Sequence, residues 1–151
     1  MVEDCADTAE SCCQLLDLWG HDAAAVRDGG SALPAAHGFR PDAVLLDIGL
    51  PVLNGYQVAV GFRAAGLTDL VLVAVTGRGR ECDRRASAAA GIDHHLVKPV
   101  APADLERLLS LVRAARQYVS AGDGRVGGGL RRPRPRHRPL TSLRQPDPLH
   151  A

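Results

Sequence analysis

Two nearly uninterrupted apolar runs limit this chain more than any other feature of its sequence. The segments "DAVLLD" at 42–47 and "DLVLVAVTG" at 69–77 carry apolar residues at consecutive positions rather than at alternate ones. Runs of this kind are typical of strands buried on both faces, and such strands occur in parallel sheets covered by helices. The chain is therefore expected to fold around a buried parallel sheet.

Helical patterns alternate with these runs, which favours the α/β class with helices on both faces of a doubly wound sheet. Weaker strand patterns occur in "HDAAAV" at 21–26 and in "IDHHLV" at 92–97. Pro34 must lie in the first turn of its helix, because a proline further along would remove a helical hydrogen bond. Apolar spacing and glycine stops predict helices at residues 8–19, 31–38, 56–65, 80–91 and 102–119.

The composition changes abruptly after residue 119. Residues 120–151 are dense in glycine, proline and arginine and show no periodicity, and residues 121–151 carry seven arginines against two aspartates. This predicts one folded domain over 1–119 and a disordered basic tail over 120–151. The tail is expected to be a solvated extension with at most weak, non-specific nucleic-acid or acidic-partner binding, because it lacks the aromatic residues that stack on bases.

The cysteines and the hydropathy pattern indicate the cytoplasm. The chain has no C-x-x-C pair and no histidine at ligand spacing from a cysteine, so its thiols are expected to be free in a reducing compartment. No run approaches the roughly 18–20 apolar residues that a membrane span needs, and no signal peptide is visible. The cysteines concerned are Cys5, Cys12, Cys13 and Cys82.

Polar residues follow the predicted strands at the points where they end. Glu3 and Asp4 end whatever remains of a first strand, while Asp47, Thr76 and Lys98 end the later ones. Ligands of open parallel sheets bind at the carboxyl ends of the strands. Three carboxylates, one hydroxyl and the only lysine of the chain are therefore expected to meet at one edge of the sheet.

This set of groups suits phosphoryl chemistry. Clustered carboxylates are unfavourable alone but form an oxygen-ligand site for a hard cation such as Mg²⁺, whose natural partner is a phosphoryl group. A carboxylate can attack a phosphoryl donor to give an aspartyl phosphate. The charge on the transferred group would then be stabilised by Lys98 and by the Thr76 hydroxyl, and Gly77 leaves room beside it.

Four motifs in order resemble the receiver domain of bacterial two-component response regulators. They are "VED", "LLDIGLPVLNG", "AVTG" and "HLVKP", and the resemblance runs from Val2 to about Arg116. It implies a five-stranded parallel sheet of flavodoxin-like order 2-1-3-4-5. The segments "GYQVA" and "DHHLVKP" look most like receivers attached to hybrid histidine kinases.

The resemblance also implies a role for each residue of the edge. Asp47 would be the phosphoacceptor, and Mg²⁺ would be held by Asp47, Glu3, Asp4 and the backbone carbonyl of Gly49. Thr76 would be the switch hydroxyl, and Lys98 would contact the phosphoryl group ahead of a cis bond to Pro99.

His95 stands where the family usually has an aromatic residue that swings inward when the threonine moves. An imidazole is planar and can pack similarly, but it is polar. A metal site at His94 and His95 is disfavoured, because neither has a cysteine or histidine partner at ligand spacing.

The leading functional hypothesis is a receiver without enzymatic turnover of an external substrate. It accepts a phosphoryl group from a sensor histidine kinase or a histidine phosphotransfer protein and changes its protein contacts. Two alternatives stay open. One is a non-phosphorylated, receiver-like interaction module. The other is a phosphatase of the haloacid-dehalogenase type, which needs an aspartate two residues after the nucleophile, where this chain has Gly49.

The first strand is expected to be truncated, since only Met1 and Val2 precede the acidic pair. In the order 2-1-3-4-5 that strand is interior, with a neighbour on each side. Each neighbouring backbone group left without a partner would cost about 1–3 kcal/mol. An apolar N-terminal extension is therefore expected to raise stability.

Overall fold

The computed structural model of the chain describes residues 1–77 and 81–122, without the side chains of 81–82 and 118–122. In these ranges three strands alternate with helices. The strands are β1 (Ala43–Asp47), β2 (Val71–Thr76) and β3 (His94–Val97). The helices are α1 (Ala6–Leu18), α2 (Gly29–Phe39), α3 (Gly55–Ala64), α4 (Glu81–Ala89) and α5 (Pro102–Gly122).

The sheet is parallel, as the two apolar runs predicted. β1 pairs with β2 so that Leu45 lies opposite Val73, and β2 pairs with β3 so that Val75 lies opposite Leu96. Beyond β1, Val2 forms parallel bridges to Leu46 on one side and to Val26 on the other.

The order of the predicted strands is therefore confirmed. The line runs from Val26 through Val2 to β1, β2 and β3, which is the order 2-1-3-4-5. Of the five expected strands, three form full strands. The other two positions in the sheet are occupied by Val26 and Val2, each through isolated bridges only. Val2 forms one bridge to each of its two neighbours.

The segment 21–26 does not form the predicted strand, apart from the bridge at Val26. The helix after it begins earlier than predicted, at Gly29, because the Asp28 carboxylate accepts the Ser31 backbone N–H at 2.8 Å and caps it. Pro34 consequently lies in the interior of α2 and not in its first turn, so that prediction was wrong.

The last helix passes the predicted domain boundary at residue 119 and continues to Gly122. The remainder of the proposed tail, residues 123–151, lies outside the described residues, and its disorder stays a prediction. Among the described helices, none combines the length and the apolar character that crossing a bilayer requires.

One apolar cluster lies on each face of the sheet, as expected for strands buried on both sides. The cluster under α2 and α3 includes Leu46, Leu72 and Phe62, all at most 1 % exposed. The cluster under α1 and α5 is centred on Val73 and includes Leu45. The side chains of successive residues in a strand, such as Leu45 and Leu46, thus pack on opposite faces of the sheet.

A cavity of about 910 Å³ lies beside Val2. Val2 N–H donates to Leu45 C=O at 2.8 Å, and Asp47 N–H donates to Val2 C=O at 3.0 Å. In a parallel strand, alternate residues direct both their N–H and C=O groups toward the same neighbouring strand. Leu45 N–H and Ala43 C=O therefore point toward the Val2 side, where both residues line the cavity.

The N-terminal ammonium lies at the same cavity. Met1 N donates to Ala24 C=O at 2.6 Å. Burial lowers the pKa of this ammonium, because removal from water disfavours its charged form. The first residue of the chain is therefore held in the fold at an electrostatic cost.

Arg63 joins α3 to the turn between α4 and β3. Its guanidinium donates to Leu67 C=O at 2.7 Å, Leu70 C=O at 2.8 Å and Gly91 C=O at 2.9 Å, and it pairs with Asp93 at 2.8 Å. The same Asp93 oxygen accepts the Leu72 N–H of β2 at 2.8 Å. One planar cation therefore satisfies loop carbonyls that no strand or helix serves.

Replacing Arg63 with methionine should lower the free energy of unfolding by about 2–3 kcal/mol, because several partly buried carbonyls lose their donor. Denaturant unfolding followed by circular dichroism measures this change. Arg107→Met, which removes an exposed cation of α5, is the matched control and should stay within about 0.5 kcal/mol of the wild type. Equal stability of the two variants would contradict the role given to Arg63.

Candidate functional site

The residues predicted for the site meet at one edge of the sheet. Asp47 and Thr76 are the last residues of β1 and β2, Glu3 follows the Val2 bridge, and Lys98 follows β3. Glu3, Asp47 and Thr76 are buried, at 2 %, 8 % and 7 % exposure, whereas Asp4 is exposed. The carboxyl ends of parallel strands thus bring together residues up to 95 positions apart.

Lys98 lies between two buried carboxylates. Its Nζ donates to Glu3 Oε2 at 2.8 Å and to Asp47 Oδ2 at 2.9 Å. Burial by itself lowers the pKa of Lys98, but the hydrogen bonds and charges of Glu3 and Asp47 outweigh it and raise the pKa above its usual value. The ammonium is therefore charged at neutral pH, and it is the cation that makes burial of the carboxylates tolerable.

Carboxylate oxygens of Glu3, Asp4 and Asp47 all lie within 4.8 Å of one another. They form the one group of histidine, cysteine, aspartate or glutamate side chains in the described residues that is close enough to share a metal ion. Three hard oxygen donors, one of them on an exposed residue, fit Mg²⁺, which keeps several waters when it binds proteins.

Backbone donors orient two of these carboxylates. Gly49 N–H donates to Asp47 Oδ1 at 2.8 Å, and Cys5 N–H donates to Glu3 Oε1 at 3.3 Å. Asp47 is thus held through both oxygens, by Gly49 and by Lys98. Gly49 belongs to the site through its N–H, and its carbonyl as a metal ligand stays a prediction.

Thr76 is tied to Lys98 through the backbone. Thr76 lies opposite Val97 in the sheet, and Lys98 N–H donates to Thr76 C=O at 2.8 Å. The bond between Lys98 and Pro99 is cis, as predicted. The hydroxyl and the ammonium therefore come from adjacent strands at the same level of the sheet edge.

Two residues that support the site were missed in the sequence. Arg27 donates to Asp4 C=O at 3.3 Å and adds an exposed cation beside the acidic group. Gly55 begins α3 directly against β1, where a Cβ would collide with Asp47 C=O and lie 2.9 Å from Ile48 Cα. The spacing of Asn54 and Gln57 was a usable signal for this helix start, since the two form a capping box.

A strained turn lies in the loop between β1 and α3. Leu53 N–H donates to Pro51 C=O at 2.8 Å, so the turn spans three residues with Val52 at its centre. Val52 has φ of 68° and a fully exposed side chain. A β-branched residue is unfavourable in this left-handed region, and no sequence pattern indicated the turn.

His95 lies at the interface between β3 and α4, and its Nδ1 is 3.1 Å from Ser87 Oγ. His94 is exposed. Neither histidine belongs to a group that could hold a metal in the described residues, so the disfavoured metal hypothesis gains no support.

Three of the four cysteines lie in the described part with their side chains, and they are free thiols, as predicted. The polar groups of Thr8, first its hydroxyl and then its backbone N–H, lower the pKa of the exposed Cys5 thiol at the start of α1. Burial raises the pKa of Cys12 and Cys13. The side chain of Cys82 lies outside the described residues.

The family model of the response regulator receiver domain matches residues 1–110. Over 114 residues the chain is 39 % identical to the transcriptional regulatory protein PrrA of Mycobacterium tuberculosis, covering 75 % of this chain and 48 % of that protein. Over 124 residues it is 36 % identical to the response regulator MprA of Mycolicibacterium vanbaalenii, covering 82 % and 52 %. The chain therefore spans about half the length of these relatives. The finer resemblance to hybrid-kinase receivers stays a prediction.

Solved receiver structures share the fold. The signal receiver domain of a LuxO repressor protein from Vibrio parahaemolyticus superposes with a TM-score of 0.74 at 20 % identity, covering 82 % of this chain and 95 % of that one. The chemotaxis protein CheY4 of Vibrio cholerae gives a TM-score of 0.69 at 23 % identity, covering 74 % and 93 %. The BeF3-activated receiver domain of Klebsiella pneumoniae RstA gives 0.68 at 26 % identity, covering 73 % and 92 %.

Proposed function

The chain belongs to the response regulator receiver domain family of two-component signalling, and on that basis we propose that Asp47 accepts a phosphoryl group from a phosphohistidine. The observation that carries this proposal is the position of Lys98, whose Nζ bridges Glu3 and Asp47 at the edge where the exposed Asp4 adds a third carboxylate. A nucleophile, a cation and a candidate set of metal ligands thereby meet at one edge of the sheet.

The transfer forms one bond and breaks one. An Asp47 carboxylate oxygen attacks phosphorus as the bond from phosphorus to the histidine nitrogen breaks, and the electron pair of that bond returns to the imidazole. The Gly49 N–H and the Lys98 ammonium orient Asp47 before the attack. Lys98 then exchanges its contact with the carboxylate for one with a phosphoryl oxygen.

Mg²⁺ held by Glu3, Asp4 and Asp47 would neutralise part of the phosphoryl charge during transfer. Thr76 ends the adjacent strand, and its hydroxyl would donate to the transferred group. The group stays on the protein until water removes it, so the chain turns over no external substrate. Its partner is a sensor histidine kinase or a histidine phosphotransfer protein, and its output is a change in protein contacts.

Incubation with Mg²⁺ and acetyl phosphate, followed by intact-mass measurement, tests the proposal. The wild type should gain the mass of one phosphoryl group, and Asp47→Asn should gain none because an amide cannot form the acyl phosphate. Asp17→Asn, which changes an exposed carboxylate of α1, should behave as the wild type does.

Three results would contradict the proposal. A wild type that gains no mass would favour an interaction module that works without phosphorylation. Equal phosphorylation of Asp47→Asn would place the acceptor elsewhere. Sustained consumption of acetyl phosphate, in place of a slow self-limiting cycle, would favour a phosphatase, although Gly49 occupies the position of the general acid that such an enzyme needs.

A further inference from the structure

A side-chain hydrogen bond joins β3 to α4. Ser87 of α4 is buried at 3 % exposure, and its Oγ lies 3.1 Å from His95 Nδ1. The Ser87 hydroxyl also donates to Asp83 C=O, one turn earlier in the helix, at 2.9 Å. The serine thus stands between a helix carbonyl and an imidazole.

The number of protons decides which tautomer His95 adopts. A hydroxyl carries one proton, and here Asp83 C=O accepts it. Ser87 Oγ can then only accept from His95, which requires the proton of the neutral imidazole on Nδ1. The opposite arrangement, in which Ser87 donates to Nδ1, would form one hydrogen bond fewer and would bury an Nε2–H without an acceptor.

His95 Nε2 is the only buried side-chain nitrogen or oxygen without a hydrogen-bond partner among the residues that the structure describes. Leaving a buried polar atom unpaired is unfavourable, so the inward position of the ring depends on the bond at the other nitrogen. Without the Ser87 hydroxyl, both nitrogens would lack partners there and would gain them in water.

We propose that Ser87 is a positioning residue that holds the His95 ring inward as the Nδ1–H tautomer and so couples α4 to β3 by a polar contact. His95 pairs with Ala74 in the sheet, and Thr76 is two residues further along β2, so its side chain is on the same face. The contact therefore lies on the same face of the sheet as the proposed switch hydroxyl, two residues from it along β2. Its part in switching rests on the proposed function, whereas the tautomer and its dependence on Ser87 do not.

Nitrogen-15 NMR of the imidazoles in the full chain tests the contact, at pH about 8.5 where an ordinary imidazole is neutral. His95→Gln identifies the His95 signals. The wild type should show one pyrrole-type resonance for Nδ1 and one pyridine-type resonance for Nε2, widely separated. In Ser87→Ala the two should move toward each other, because a solvated ring exchanges between both tautomers.

The matched control is Ser110→Ala, because Ser110 Oγ makes the same backward hydrogen bond to Glu106 C=O on α5, at 2.9 Å, without an imidazole beside it. It should leave the His95 signals unchanged. An Nε2–H tautomer in the wild type, mixed tautomers in the wild type, or an unchanged spectrum in Ser87→Ala would overturn the proposal. The wild-type spectrum alone shows whether His95 is the Nδ1–H tautomer, even if Ser87→Ala fails to fold.

A second measurement adds Mg²⁺ and beryllium fluoride, a phosphoryl analogue, to the wild type. Chemical-shift changes at Asp47 and Gly49, together with a smaller separation between the His95 Nδ1 and Nε2 resonances, would support the coupling. Shifts at the site without any change at His95 would overturn the coupling. A spectrum that stays unchanged throughout would count against phosphorylation at Asp47, while the tautomer result would stand.

Discussion

Lys98→Met should lower the free energy of unfolding by about 2–3 kcal/mol at pH 7 without Mg²⁺. The substitution leaves Glu3 and Asp47 buried beside each other with no cation between them. Losing one partner of a fully buried ion pair costs about 3–5 kcal/mol. We expect less here, because a third of the Lys98 side chain is exposed. Denaturant unfolding of both proteins measures the difference.

The dependence of the stability difference on Mg²⁺ and on pH should distinguish this electrostatic effect from a simple loss of packing. Mg²⁺ should restore part of the stability of Lys98→Met, because it supplies a cation to the same carboxylates. The pKa of Lys98 is raised in the fold, so its contribution is complete below the ordinary lysine value of about 10.4 and disappears only as pH rises through the folded value. The stability difference should therefore be constant from neutral pH up to the ordinary lysine pKa and should decline only as the pH rises through the raised pKa of Lys98.

Arg107→Met removes a cation from an exposed position of α5 and serves as the control for net charge. It should show neither the loss nor the Mg²⁺ response. A Lys98→Met protein as stable as the wild type at pH 7 would contradict the view that this ammonium compensates the buried carboxylates.

Joining four apolar residues, such as Ala-Val-Leu-Val, ahead of Met1 should raise the free energy of unfolding by about 3 kcal/mol. The added strand would bring partners to Leu45 N–H and Ala43 C=O and would fill part of the 910 Å³ cavity. It would also replace the buried ammonium with an uncharged peptide N–H. Thermal and denaturant unfolding of the extended chain measure the gain.

The pH dependence of the unextended chain offers an independent check. Burial lowers the pKa of the Met1 ammonium below its ordinary value of about 8, so the unfolded chain binds more protons between the folded value and pH 8. Stability should rise with pH across that interval and level off above it. The extended chain should lack this rise.

A Gly-Ser-Gly-Ser extension is the matched control, because it removes the terminal charge without apolar side chains. It should also lack the rise of stability with pH. It should give little of the further stability gain expected from the apolar extension. If the apolar extension stabilises no more than this control, the cavity beside Val2 is not a weak point of the fold.

The sheet and the site edge could be predicted because both follow from the order of residues along the chain. Consecutive apolar residues in β1 and β2 require burial on both faces, and parallel pairing then brings Asp47, Thr76 and Lys98 to one edge. No knowledge of distant contacts was needed for this step. The pairing of the only lysine with Glu3 and Asp47 follows from the same alignment.

The parts that escaped prediction depend on side chains that meet distant backbone groups. Arg63 binds carbonyls of two separate loops, and Ser87 meets His95 across a helix–strand interface, and neither contact leaves a periodic pattern. The start of α2 was misplaced for a related reason. Gly29 and Gly30 resemble a turn in the sequence, whereas the Asp28 cap makes them the first turn of a helix.

Because the chain has a single lysine, the position of Lys98 gives amine chemistry a direct use as a probe. An acylating reagent can meet only two aliphatic amines here, the largely buried terminus and the ammonium held between Glu3 and Asp47. The degree of labelling at Lys98, read by peptide mass, should therefore report how long that amine spends away from its carboxylates. Lys98 therefore both stabilises the edge of the sheet and allows the state of that edge to be followed by chemical labelling.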